Sequence, residues 1–190
     1  MDESAQMGRR FALLDRDGTV VIDKIYLSDP AGLELAPGVI EGLRLMRDAG
    51  LRFIMVTNQS GIARGYFDEE TLARIHRRLR EMLAEEGIDL EAIYYCPHGP
   101  LDACRCRKPE PGLVLDAMAD FGFQPAEAVL IGDSEADMGA AVATGVRGIR
   151  VAPPSAGASA PPNATPDFLM AARRAIDYFE ARQPKKRSCT

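Results

Sequence analysis

Short continuous apolar runs alternate along this chain with longer segments in which apolar residues recur every three or four positions. Phe11-Ala12-Leu13-Leu14, Leu51–Val56, a stretch near Ala92–Tyr95, Ala128-Val129-Leu130-Ile131 and Gly148–Val151 are runs of the first kind. Such runs suit strands buried on both faces of a sheet. Helical spacing fills the intervals. Residues 37–49 start with Pro37, place Val39, Ile40, Leu43, Met46 and Ala49 on one stripe, and stop at Gly50. Asp68 is a suitable N-cap for a helix whose inner stripe is Leu72, Ile75, Leu79, Met82 and Leu83, with Gly87 at its end. Further helices are expected from Pro111 to about Phe121, over 135–144 and over about 167–181. Strands alternating with helices predict an α/β fold, a parallel sheet flanked by helices, in one domain over 1–190 with its core at about 10–182. The Pro/Ala/Ser-rich segment 153–166 reads as a mobile loop. Residues 183–190 read as a disordered tail whose Lys185-Lys186-Arg187 is a solvated end.

Polar segments stand where three of these strands end: Asp15-Arg16-Asp17-Gly18-Thr19, Thr57-Asn58-Gln59-Ser60-Gly61 and Gly132-Asp133-Ser134-Glu135-Ala136-Asp137. In an open α/β sheet that carboxyl edge is where ligands bind. A carboxylate at Asp15 can attack phosphorus and form an aspartyl-phosphate. Asp17, two residues on, can protonate the leaving oxygen and later deprotonate water. Thr57 can donate a hydroxyl hydrogen bond to a phosphoryl oxygen, with Asn58 and Ser60 as further donors. Lys108, in Arg107-Lys108-Pro109, supplies a point charge for the pentacovalent state. Asp133 can complete an oxygen-rich Mg²⁺ site. Asp137, one helical turn later, could serve the metal's outer shell or Lys108. Singly, each has a plain structural role: a βα turn at Asp15, a strand end at Thr57, a surface lysine at Lys108, an N-cap at Asp133. Together and in order they make a phosphoryl-transfer site.

Three of the four cysteines, Cys96, Cys104 and Cys106, lie within eleven residues of each other beside His98. Three thiolates and one imidazole form a closed tetrahedral set of the structural zinc kind. The loop 96–106 ends one residue before Arg107-Lys108, so the zinc is expected to set the position of both cations. Cys189 is a bystander, and His76 reads as a surface histidine without a role. The net charge of −5 gives no footprint for a nucleic-acid backbone. No apolar run is long enough for a signal peptide or a membrane span, so a cytoplasmic monomer without nucleic-acid or membrane partners is expected.

The ordered motifs resemble the haloacid dehalogenase superfamily of aspartate-nucleophile phosphatases over residues 10 to about 152. The resemblance implies a Rossmann-like, uncapped haloacid dehalogenase-like fold with a zinc-binding loop. By it, Asp15 is nucleophile and Mg²⁺ ligand, Asp17 is general acid/base and a ligand through its carbonyl, and Asp133 is the remaining Mg²⁺ ligand. Thr57 and Lys108 hold the phosphoryl group. The gaps between motifs leave no room for a cap domain, so loops 19–36, 60–67 and 98–107 must recognise substrate. Asp15 to Thr19, Asp23 to Tyr26, Thr57 to Phe67, Tyr94-Tyr95-Cys96-Pro97-His98, Cys104-x-Cys106-Arg107-Lys108-Pro109 and Gly132-Asp133 are similar to the branch that removes one phosphate of a heptose bisphosphate. That branch serves nucleotide-activated heptose and lipopolysaccharide biosynthesis. It implies a small sugar-phosphate substrate contacted by Asp23, Lys24, Ile25, Tyr26, Thr57, Asn58, Gln59, Ser60, Lys108 and Ser134, with Arg107 reading the sugar phosphate. The alternative is the histidinol-phosphate branch, whose spacing the five residues between His98 and Cys104 match. Polynucleotide 3′-phosphatases share the Thr57–Gly65 stretch but lack the cysteines. A non-catalytic zinc-stabilised binding module would have no need of Asp15, Asp17, Asp133 and Lys108 together.

Overall fold

The computed structural model describes residues 9–152 and 164–182. Most of the expected 153–166 loop, the expected tail and Cys189 lie outside the described residues. Strands β1 (Phe11–Leu14), β2 (Arg52–Asn58), β3 (Leu90–Cys96), β4 (Ala128–Gly132) and β5 (Arg147–Arg150) form one sheet in the order β3-β2-β1-β4-β5. Every neighbouring pair is parallel. The helices are α1 (Val39–Asp48), α2 (Glu69–Ala84), α3 (Gly112–Phe121), α4 (Glu135–Thr144) and α5 (Phe168–Glu180).

Strand β1 lies mid-sheet with all four residues buried, and its side chains alternate between two cores. Ala12 and Leu14 join Val39, Leu43 and Met46 of α1, Ile75, Leu79 and Leu83 of α2, and Phe168 and Ala171 of α5. Phe11 and Leu13 join Leu113, Val114 and Ala117 of α3 and Ala140 of α4 on the other face. A strand covered on both sides has no polar face, which is why its sequence is a continuous apolar run.

The expected helix starts are visible in detail. The Asp68 side chain accepts from the Thr71 N–H, and Asp167 caps α5 from the Met170 N–H. Some boundaries differ. Helix α1 starts at Val39, because Gly38 takes φ 77° at the N-cap and leaves Pro37 ahead of the helix. Strand β2 runs to Asn58, so Thr57 pairs with Tyr95 inside the sheet instead of following it. Strand β3 extends to Cys96, which anchors the first cysteine in the sheet. Two short 3-10 turns, Pro30–Gly32 and Pro125–Glu127, have no apolar period to announce them.

The neighbours of β1 are β2 and β4, so the direction of winding reverses between β1 and β4 and a crevice opens at their carboxyl ends. Between β1 and β2 the chain forms only α1 and a loop closed by bridges from Val21 to Asp17 and Leu35. No cap domain stands there, as the motif gaps implied. Among the described residues no helix is long and apolar enough to cross a membrane.

Candidate active site

Asp15 is the first residue beyond β1, and its N–H donates to the Ile131 carbonyl at 2.9 Å. That bond continues the β1–β4 ladder and brings Asp15 beside Asp133, the first residue beyond β4. The loop after Asp15 passes close over Asp133. Gly18 has φ 76°, and a Cβ there would stand 2.5 Å from Asp133 Oδ2. Glycine is required on both counts. The Thr19 hydroxyl donates to Asp133 Oδ1 at 3.3 Å.

Lys108 is 3% exposed. Its Nζ donates to the Val56 carbonyl at 2.7 Å, lies 2.8 Å from Asp15 Oδ1 and pairs with the fully buried Asp137. The other oxygen of Asp137 accepts from the Ser134 N–H at 3.0 Å and from its hydroxyl. Of the two roles open to Asp137, the structure therefore assigns it to Lys108. Ser134, expected against substrate, caps α4 and holds Asp137. Asn58, also expected against substrate, brackets the Lys108 residue. Its Oδ1 accepts the Lys108 N–H and its Nδ2 donates to the Lys108 carbonyl, both at 3.0 Å. The lysine is thus fixed by β2 and α4, and the expectation that the cysteine loop positions both cations needs correction. Arg107 alone hangs on that loop, through a 3.2 Å bond from Nη1 to the His98 carbonyl.

Carboxylate oxygens of Asp15, Asp133 and Asp137 lie within 4.8 Å of one another, facing one ammonium. Burial pushes the Asp15 carboxyl up to about 7; Asp137 adds to the rise and Lys108 opposes it. Burial, then Asp137, likewise raises Asp133. A buried, oxygen-lined crevice with surplus negative charge fits Mg²⁺, whose charge would return these groups to their ionised forms. Asp15 and Asp133 are the side chains placed to hold it, because Asp137 is occupied by Lys108 and Ser134. The Asp17 carboxylate is held by Arg16 and by Gln59, whose Nε2 also donates to the Thr57 hydroxyl oxygen.

Thr57 is buried, and its Oγ accepts from Gln59 Nε2 at 2.9 Å, which leaves its own proton free to donate. Gln59, a third expected substrate contact, is turned inward, with its Oε1 accepting from Arg16 at 2.8 Å. His76 is also a correction: it is 9% exposed, and its Nε2 meets Arg16 Nη1 at 3.4 Å. Its place beside the apolar stripe of α2 was the signal available in the sequence. The other substrate-loop residues stay at the surface. Asp23 accepts from the Ile25 N–H, and Lys24 pairs with Glu34 at 3.1 Å. Ile25 and Tyr26 adopt φ of 44° and 62°, a costly conformation for side chains of this size. The Tyr26 ring lies 4.5 Å from that of Tyr66, with the Arg64 guanidinium 5.8 Å above it. Ser60 accepts from the Arg64 N–H and shapes the turn between them.

The sequence-predicted cysteine set converges. Cys96 Sγ lies 3.8 Å from Cys104 Sγ and 3.1 Å from Cys106 Sγ, and the two loop sulfurs are 3.6 Å apart. His98 Nδ1 is 3.5 Å from Cys96 and 3.3 Å from Cys106. Ligands at zinc–sulfur distance on a tetrahedron are separated by roughly 3.8 Å, so the four atoms suit a closed site. Burial and the neighbouring thiols push Cys96 up to about 12, a cost that a bound cation would reverse.

Residues 105–172 match the HAD-hydrolase-like family. The chain is 42% identical to the D-glycero-beta-D-manno-heptose-1,7-bisphosphate 7-phosphatase of Photorhabdus laumondii, over 67% of this chain and 72% of that protein. To the enzyme of the same name from Escherichia coli K12 it is 40% identical, over 70% and 73%. The crystal structure of D,D-heptose 1,7-bisphosphate phosphatase from B. bronchiseptica, complexed with magnesium and phosphate, superposes with a TM-score of 0.78 at 32% identity, covering 88% of this chain and 98% of that one. With the parallel sheet, the aspartates at its carboxyl edge and the buried lysine in place, the chain belongs to the haloacid dehalogenase-like phosphatases, in the family that contains the heptose-bisphosphate phosphatases.

Proposed function

We propose that this phosphatase removes the 7-phosphate of D-glycero-D-manno-heptose 1,7-bisphosphate through an aspartyl-phosphate on Asp15. The observation that carries the chemistry is Asp15 beside Asp133 at the crevice, with Lys108 Nζ 2.8 Å from Asp15 Oδ1. Oδ1 also accepts the Arg16 N–H, so Oδ2 is the oxygen left to attack phosphorus. As the P–O bond to the sugar breaks, Asp17 gives its proton to the leaving oxygen. The resulting Asp17 carboxylate then takes a proton from water, whose oxygen attacks the phosphorus and releases Asp15. Lys108 and the Thr57 hydroxyl stabilise charge on the transferring group. Asp15, Asp133 and the Asp17 carbonyl would hold Mg²⁺, which would supply charge neutralisation for the transferring group. Cys96, His98, Cys104 and Cys106 would hold zinc, which would make the loop a rigid mount for Arg107, whose planar guanidinium suits a second phosphate.

The heptose assignment is supported by relatives of that name at about 40% identity over two thirds of the chain. The exposed Tyr26–Tyr66 pair, tilted by 36° with Arg64 on it, adds aromatic surface suited to a sugar ring at a site without a cap. The net charge of −5 is unsuited to a nucleic-acid strand, and we place the enzyme in the cytoplasm. Two measurements test the reading. A beryllofluoride adduct should form on Asp15, and kcat/KM should rank heptose 1,7-bisphosphate above histidinol phosphate and fructose 1,6-bisphosphate. Preference for histidinol phosphate would replace the substrate; an adduct on another residue would replace the mechanism.

A further inference from the structure

Arg16 is among the largest fully buried side chains of the protein, although its head carries a charge. A buried guanidinium survives only where its donors are met. Its Nε donates to Asp17 Oδ1 at 3.0 Å and its Nη2 to Asp17 Oδ2 at 2.8 Å. Nη2 also donates to Gln59 Oε1 at 2.8 Å, while Gln59 Nε2 donates back to Asp17 Oδ2 at 2.9 Å. The planar fork and the amide thus grip one carboxylate from two directions. Behind the fork stands His76 of α2, its ring edge-on to Tyr95 of β3 at 5.9 Å. Burial and the adjacent Arg16 charge push the His76 pKa down to about 3, so near neutrality the imidazole is uncharged and its Nε2 lone pair can accept from Arg16 Nη1.

We propose that Arg16, backed by His76 and Gln59, is the positioning residue for Asp17, fixing the direction of the carboxyl group that trades protons with the leaving oxygen and with water. The inference rests on the acid/base role given to Asp17 above. A guanidinium fork fixes the carboxylate plane, which a single hydrogen bond would not. Among the described side-chain contacts of that carboxylate, only the Gln59 amide joins the fork. The tie also reaches 60 residues along the chain, from the loop after β1 to the interior of α2. The packing of α2 thereby becomes part of the acid/base geometry.

The test compares two esters by kcat/KM: 4-nitrophenyl phosphate, whose phenolate leaves without a proton, and whichever of heptose bisphosphate and histidinol phosphate the wild type hydrolyses. Loss of acid positioning should affect only the alkyl ester. For Arg16→Met we expect a fall on the order of 10²-fold on the sugar or histidinol ester and less than about threefold on the aryl ester. His76→Phe, which keeps a ring in place but removes the acceptor, should show the same split at about tenfold, and His76→Gln should recover part of it. An equal fall on both esters, or none, in His76→Phe would overturn the inference even if Arg16→Met fails to fold. Asp17→Asn is the control: a split there without one in the Arg16 and His76 variants sinks the positioning role alone. No split in Asp17→Asn would remove the acid role and the inference with it.

Discussion

Replacing Asp137 by Asn removes one charge and one acceptor from the centre of the lysine mount. Asp137 is 0% exposed, so neither loss is made good by water. Its Oδ1 meets Lys108 Nζ, and its Oδ2 accepts from the Ser134 N–H at 3.0 Å. An asparagine can keep a carbonyl toward Lys108, but its amide nitrogen then faces a backbone N–H, donor to donor. Exchanging a charge-assisted bond for a neutral one costs about 1–2 kcal/mol, and an unmet buried N–H about 1–3 kcal/mol. Relief of repulsion among Asp15, Asp133 and Asp137 returns about 1 kcal/mol, the worth of roughly one pKa unit. The net expectation is a loss of about 1–4 kcal/mol by equilibrium urea unfolding in EDTA, where bound metal adds nothing. Because Lys108 would lose one of its two carboxylate partners, kcat/KM should also fall, on the order of 10²-fold. A variant within about 0.5 kcal/mol of wild type, with undiminished kcat/KM, would show that Asp137 does not hold the lysine.

Cys104→Ser should release zinc, read by elemental analysis, and lower kcat/KM on the bisphosphate on the order of tenfold more than on 4-nitrophenyl phosphate, since Arg107 rides on the loop and Lys108 does not; equal losses would contradict that division. His76 has an ordinary pKa of 6.5 and a folded one of about 3, so below pH 6.5 the unfolded chain binds a proton that the folded one refuses. Stability contributed by keeping it neutral is present above pH 6.5 and lost as pH falls toward 3, at about 1.4 kcal/mol per pH unit. Unfolding curves of wild type and His76→Gln should therefore diverge between pH 6.5 and 5 to the disadvantage of the wild type; parallel pH dependences would refute it.

The strands, the helix stripes and the placing of the crevice carboxylates were legible because each is a local pattern: an apolar run, a 3.6-residue period, a polar residue where a run stops. Asp15 and Asp133 needed only the rule that parallel strands share a carboxyl edge. Residues whose role depends on which way a side chain turns were not legible in this way. The side chains of Asn58 and Gln59 turn inward because Lys108 and Arg16 wait there, 50 and 43 residues away. His76 read as a surface residue because its neighbours on the helix are arginines, while its partner Arg16 lies 60 residues back. Long-range polar pairing leaves no period in the sequence.

The double bracket that Asn58 places around Lys108 separates two parts of the molecule that are adjacent in the chain. The lysine's peptide is registered against the end of β2, whatever the length of the segment that delivers it. The stretch between His98 and Cys104 can therefore lengthen or shorten without moving the ammonium away from Asp15. With Arg107 in the role proposed for it, chemistry and choice of substrate can then vary independently. On the role proposed for Arg107, the cysteine loop becomes an exchangeable cassette plugged into a fixed socket, and exchanging it between relatives should redirect the enzyme.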